Sequence, residues 1–307
     1  MRKAWHAGFL VAIHAASPAA AQAEPAPDPG ETDNTIVVTG ETEPPTRREV
    51  FDQALELSRV DPGQMYEEAL ARVTAPLCPE VVGLDKGLAD EMVERIRDNA
   101  ARLKLSLASG RCAPNLLVAF VDDGHELLAD LADAHPQMFD LVAESERGEM
   151  LVDAAPVRVW NVVETKWADG ASLAYRHGKQ IVPSMRGRVN RMLLPTRKDI
   201  DFALVAYDRE AVVGMTIVQL ADYATMRGLS HTRPATGHEP MPTILALFDD
   251  EDIVDPVDRG PGELTSFDLG YLRSVYFWRP DRSVPAVGRL LGVRRRAEAA
   301  AEGTLDQ

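Results

Sequence analysis

Apolar residues fall on one helical face at Leu88, Met92, Ile96 and Ala100, which predicts a helix over residues 85–105. Val50, Phe51, Ala54, Leu55 and Leu57 predict an earlier helix over 49–60, and residues 70–74 read as a strand between the two. After Cys112 the run NLLVAFVDD, residues 115–123, is continuously apolar at the length of a buried strand, and HELLADLADAH returns to helical spacing. Strand, helix, strand, helix with a right-handed crossover is the economical arrangement.

PVRVWNVVET, residues 156–165, alternates as an exposed or edge strand would, and the polar stretch 168–188 reads as a hairpin or long loop. DFALVAY, residues 201–207, is a further strand. Thr216 and Gln219 in TIVQ have the spacing of a capping box, opening a helix that carries Leu220, Ala221, Ala224 and Gly228 on one face. Thr265 and Asp268 cap a last helix with Leu269, Leu272, Arg273 and Tyr276. No period repeats, so a solenoid is not indicated. The expected fold class is α+β: one domain with a mixed sheet over 49–290 and a polar C-terminal tail over 291–307.

The 307 residues are 45% hydrophobic, enough to bury a sizeable core. Thirty-three Lys and Arg against 48 Asp and Glu leave a net charge of -15, which argues against nucleic acid and anionic lipid as partners. The basic triplet Arg294, Arg295 and Arg296 reads as a helix C-terminal complement. At the start, Arg2 and Lys3 precede an apolar run over 7–16 and the small residues Ala21 and Ala23. This is signal-peptide grammar over 1–23, with cleavage expected after Ala23 and periplasmic export to follow. The run is too short for a permanent transmembrane helix, and none follows it.

Cys78 and Cys112 suit an exported chain, either as a disulfide or as two buried thiols, with the oxidising compartment favouring the bond. Closing that loop contributes roughly 3–4 kcal/mol in the chain-entropy model. Residues 24–48 are rich in Pro and acid and read as a disordered tether. The exception within it is DNTIVVTGE. Its residues Asp33, Thr35, Ile36, Val37, Val38 and Thr39 resemble the TonB box, the segment of outer-membrane receptors that TonB captures as an added strand. The resemblance implies TonB or another envelope protein as partner; the remaining chain lacks the patterning of a receptor barrel. The other reading of Ile36 to Val38 is an edge strand of the protein's own sheet.

The helix after Thr216 invites comparison with zinc chemistry. Against HExxHxxGxxH, the segment ADYATMRGLSH places Gly228 on the motif's glycine and His231 on its third histidine. The first-shell positions hold Ala221 and Thr225, and Asp222 stands where the general-base Glu would be, so the residues for holding catalytic zinc are missing. MPTILALF, residues 241–248, resembles the turn after the metal helix of metzincins, with Leu245 in place of the methionine, and residues 263–276 resemble their C-terminal helix. The chain therefore resembles a degenerate zincin-like domain over about 66–276. The resemblance implies binding or adaptor work without metal or cofactor, or structural work in an envelope assembly. The rival is a hydrolase using Asp222 and His231. His125 with Glu126, and His238 with Glu239, begin zinc-like motifs that Ala129 and Pro240 break; the acidic run Asp249, Asp250, Glu251 and Asp252 could hold calcium only with added carbonyls.

Overall fold

In the computed structural model, the described residues are 44–285 apart from 141, 143, 152–154, 177–178, 182–192, 237 and 250–259. The signal-like segment, residues 33–40, most of the acidic run and the arginine triplet lie outside them. Helix α1, Arg47–Leu57, starts from a capping box in which Thr46 and Glu49 exchange bonds, so it reaches two residues into the stretch read as tether. It buries Val50, Ala54 and Leu57.

The expected strand over 70–74 does not form. Arg72 in that stretch makes isolated bridges to Asp199 and Ser230, and Ala69 just before it bridges Ser283, because the segment crosses several elements instead of running beside one. The strand lies a few residues later, at β1, Pro79–Val82. Helix α2, Lys86–Arg102, then leads to β2, Leu116–Val121, which pairs with β1 in parallel from Pro79 opposite Leu116. Cys78 and Cys112 form a disulfide, with Cα atoms 6.2 Å apart, that joins the entrance of β1 to the approach to β2.

Helix α3, Gly124–Ala134, follows with Asp123 as its N-cap, and α4, Glu144–Leu151, is a short polar helix that the hydrophobic pattern did not reveal. Strand β3, Val157–Trp167, runs antiparallel along β6, Thr196–Asp208, and β6 pairs with β2 in parallel. The sheet order is β1-β2-β6-β3, so the alternating segment does form an edge strand. Between β3 and β6, the two-residue strands β4, Tyr175–Arg176, and β5, Lys179–Gln180, form a separate hairpin.

Both faces of the sheet are covered, which is why β2 reads as a continuous apolar run. Leu116, Val118 and Phe120 point to the larger core beneath α2 and α5, Ile217–Leu229, while Leu117, Ala119 and Val121 meet the smaller core under α3 and α4. Trp160 anchors that smaller core, stacked on Phe139 with ring centroids 4.5 Å apart. Helix α6, Ser266–Phe277, completes the larger side from its own capping box at Thr265 and Asp268. No described helix is long and apolar enough to cross a membrane.

Candidate functional site

Helix α5 follows β6 and begins at the Thr216 and Gln219 capping box. Every residue from Gln219 to Leu229 is buried, so its polar side chains must find protein partners. Thr225 donates its hydroxyl to the Ala221 carbonyl at 2.8 Å. Asp222, fully buried, accepts from four donors: Arg95 Nε at 2.8 Å and Asn99 Nδ2 at 2.6 Å on Oδ1, Arg95 Nη2 at 2.6 Å and the Leu264 amide at 2.7 Å on Oδ2. The Asp222 bonds hold the Arg95 guanidinium above its ordinary pKa, against the opposing effect of burial. This carboxylate ties α5 to α2 and to the approach of α6.

Gly228 has a packing reason. A Cβ there would lie 2.4 Å from Leu116 Cδ1, and Leu116 is itself fully buried, so the glycine lets α5 press onto β2.

His231 follows the C-cap of α5 and bonds through Nε2 to Glu146 Oε2 at 3.1 Å. Arg59 backs the pair, 4.0 Å from Glu146 and 2.6 Å from Glu149. Burial pushes the His231 pKa down despite Glu146, while the bond to His231 and the charges of His231 and Arg59 hold Glu146 below its ordinary value against the effect of its own burial. Asp222 and Leu229 are seven residues apart on the helix, a rise of about 10 Å at 1.5 Å per residue. With His231 beyond that end, and with no partner in common, the two sequence-proposed residues sit in separate networks.

The other candidates are also occupied locally. The stretch after α5 forms a 3₁₀ turn at Ile244–Ala246 with Leu245 buried, and Asp268 binds it through Thr243 Oγ1 at 2.6 Å and the Ile244 amide at 2.9 Å. Burial raises the Asp268 pKa, with these bonds opposing. Glu239 accepts from the Thr236 amide, and His125 Nε2 bonds the Leu151 carbonyl. Among the described residues, no three His, Cys, Asp or Glu side chains gather as a metal group.

A polar cavity of about 540 Å³ shares no lining residue with either network and is bordered by Arg72, Thr74, Lys104, Lys166, Arg197 and Asp199. Arg72 closes the C-terminus of α6: its Nη1 donates to the carbonyls of Val275 at 2.8 Å and Trp278 at 2.6 Å. Burial pulls the Arg72 pKa down, with Tyr276 and Asp199 opposing. Asp199 Oδ2 accepts from Arg197 Nη2 at 2.8 Å and Thr74 Oγ1 at 2.9 Å. Lys166 bridges Asp201 at 2.7 Å and Glu164 at 3.3 Å; burial lowers its pKa and these carboxylates more than reverse the effect. Three buried atoms at this site have no hydrogen-bond partner among the described residues: Arg72 Nε, Arg197 Nε and Asp199 Oδ1.

The motif-based reading missed this site. A partial signal was present: Arg197, Asp199 and Asp201 alternate with period two along one strand, and the antiparallel register sets Lys166 opposite Arg197 and Glu164 opposite Asp199. Arg72 joins from 125 positions earlier (197 - 72), which no local pattern reveals. No protein-family model, curated protein or solved structure matches the chain.

Proposed function

We propose that this chain is an exported binding or adaptor protein of the bacterial periplasm, with a body that holds a ligand without metal catalysis. Residues 33–40 are offered on a tether as a strand to TonB or another envelope protein. The observation that carries the non-catalytic reading is Asp222. Its two oxygens already accept from four donors, which leaves little capacity to take a substrate's proton or order an attacking water. Ala221 and Thr225, at the positions of the zinc histidines, supply no strong ligand. A mixed sheet followed by a buried helix agrees with a zincin-like layout that has lost its metal residues. The disulfide agrees with export.

The tether half rests on Asp33, Thr35, Ile36, Val37, Val38 and Thr39. A β-branched strand flanked by acid and proline can pair with a sheet edge through main-chain bonds while resisting aggregation. Calorimetric titration of the 24–48 peptide into the C-terminal domain of TonB tests it. Saturable binding, weakened by Val37→Pro because proline removes a ladder donor, is expected. Absence of binding, or equal binding by the proline variant, would overturn the tether assignment.

A further inference from the structure

We infer that the cavity between Arg72, Lys104 and Arg197 binds a small organic molecule through one oxyanion head, a carboxylate or a phosphate monoester. The inference rests on the ligand-holding half of the proposed function. Its basis is a surplus of hydrogen-bond donors. A guanidinium carries five N–H groups and matches the oxygens of a carboxylate or phosphate. Among the described residues, the side-chain hydrogen bonds of Arg72 leave from Nη1, to carbonyls at the end of α6, and that of Arg197 leaves from Nη2 to Asp199. Each Nε is buried without an acceptor among the described residues. Both guanidinium groups belong to residues that line the cavity and have terminal N–H groups to spare, which favours an acceptor-rich occupant there. Lys104 adds a fourth cation to Arg72, Lys166 and Arg197 around the space.

The carboxylates do not cancel this demand. Asp199 spends Oδ2 on Thr74 and Arg197 while its Oδ1 is buried away from the cavity, and Asp201 is bridged to Lys166, so both position cations. Their charge instead limits the occupant to a single oxyanion head, because a second would meet Asp199 and Asp201. The volume of about 540 Å³ falls among ordinary small-molecule sites and leaves room for an organic body beyond the head. In a chain of net charge -15, four cations against Asp199 and Asp201 leave the lining locally positive, which favours an organic anion.

Calorimetric titration of the full chain with gluconate and with glycerol 3-phosphate, using inorganic phosphate and uncharged glycerol as controls at matched ionic strength, tests the inference. Saturable binding of at least one organic oxyanion is expected, and the arm that binds identifies the head. Arg197→Gln should weaken it by about tenfold or more, equivalent to ~1.4 kcal/mol. Lys104→Asn is the safer companion variant: Lys104 is exposed with φ 58°, a conformation that asparagine tolerates, so the fold should survive while affinity falls. Binding no stronger than that of glycerol, binding of inorganic phosphate alone, or unchanged affinity in Lys104→Asn and in folded Arg197→Gln would overturn the assignment. The 24–48 peptide titration is independent of this one, so failure at the cavity with intact tether binding would remove only the oxyanion site.

Discussion

Replacing Asp222 by Asn separates a fastening role from a chemical one. The substitution keeps shape and volume but turns one of two acceptor oxygens into a donor. Oδ1 faces Arg95 Nε and Asn99 Nδ2, and Oδ2 faces Arg95 Nη2 and the Leu264 amide. Whichever way the new amide turns, its nitrogen meets two donors. Two hydrogen bonds are lost in the interior, at roughly 1–3 kcal/mol for each group left unsatisfied. Arg95 also loses its buried counter-charge, but its side chain is 25% exposed and Glu263 lies 3.1 Å away, so water and that second carboxylate recover part of the cost. The expected loss is about 3 kcal/mol, a large share of the ~5–15 kcal/mol that holds a typical fold. Urea unfolding of the full chain and of Asp222→Asn, followed by far-UV circular dichroism and extrapolated to water, measures it. A change within about 0.5 kcal/mol, as at an ordinary surface position, would refute the reasoning and return Asp222 to the list of residues kept for chemistry.

Gly228→Ala should cost about 1–3 kcal/mol by overpacking against Leu116, read by the same unfolding measurement. Cys78→Ser with Cys112→Ser should lower stability by roughly 3–4 kcal/mol, and dithiothreitol should destabilise the parent chain but not the double variant. Stability should also fall as the medium becomes acidic. The folded-state pKa of His231 is depressed, so its contribution is present above the unfolded value of 6.5 and is lost as pH drops through the folded value. Glu146, likewise depressed, adds a loss beginning below 4.5, and Arg59 and Lys198 are the cations facing the pair. His231→Gln should flatten the upper part of that profile, as followed by thermal unfolding between neutral and mildly acid pH.

The elements with strong local patterns were legible in the sequence. The apolar run at 115–123 became β2, the spaced residues Met92, Ile96 and Ala100 became the buried face of α2, and the pairs Thr216 with Gln219 and Thr265 with Asp268 formed capping boxes. What escaped notice is non-local. Residues 70–74 resemble a strand by composition, yet their partners are single residues from distant segments, whereas β1 is only four residues long and opens with proline. The motif comparison placed Asp222 and Gly228 by spacing alone. Their roles depend on Arg95 and Asn99 of α2 and on Leu116 of β2, contacts more than 100 positions distant that a periodicity cannot express. The oxyanion cavity has the same origin: its strand face was readable, but Arg72 and Lys104 reach it only through the fold.

Metal content of the purified full chain, measured by mass spectrometry after incubation with zinc and exhaustive dialysis, tests most directly whether the polar residues of α5 serve the fold and not a metal. Ala221 and Thr225 in place of strong ligands, and Asp222 saturated by four donors, predict that no stoichiometric zinc is retained. Near-stoichiometric zinc that survives dialysis would contradict that account and move a peptidase-like function to the front.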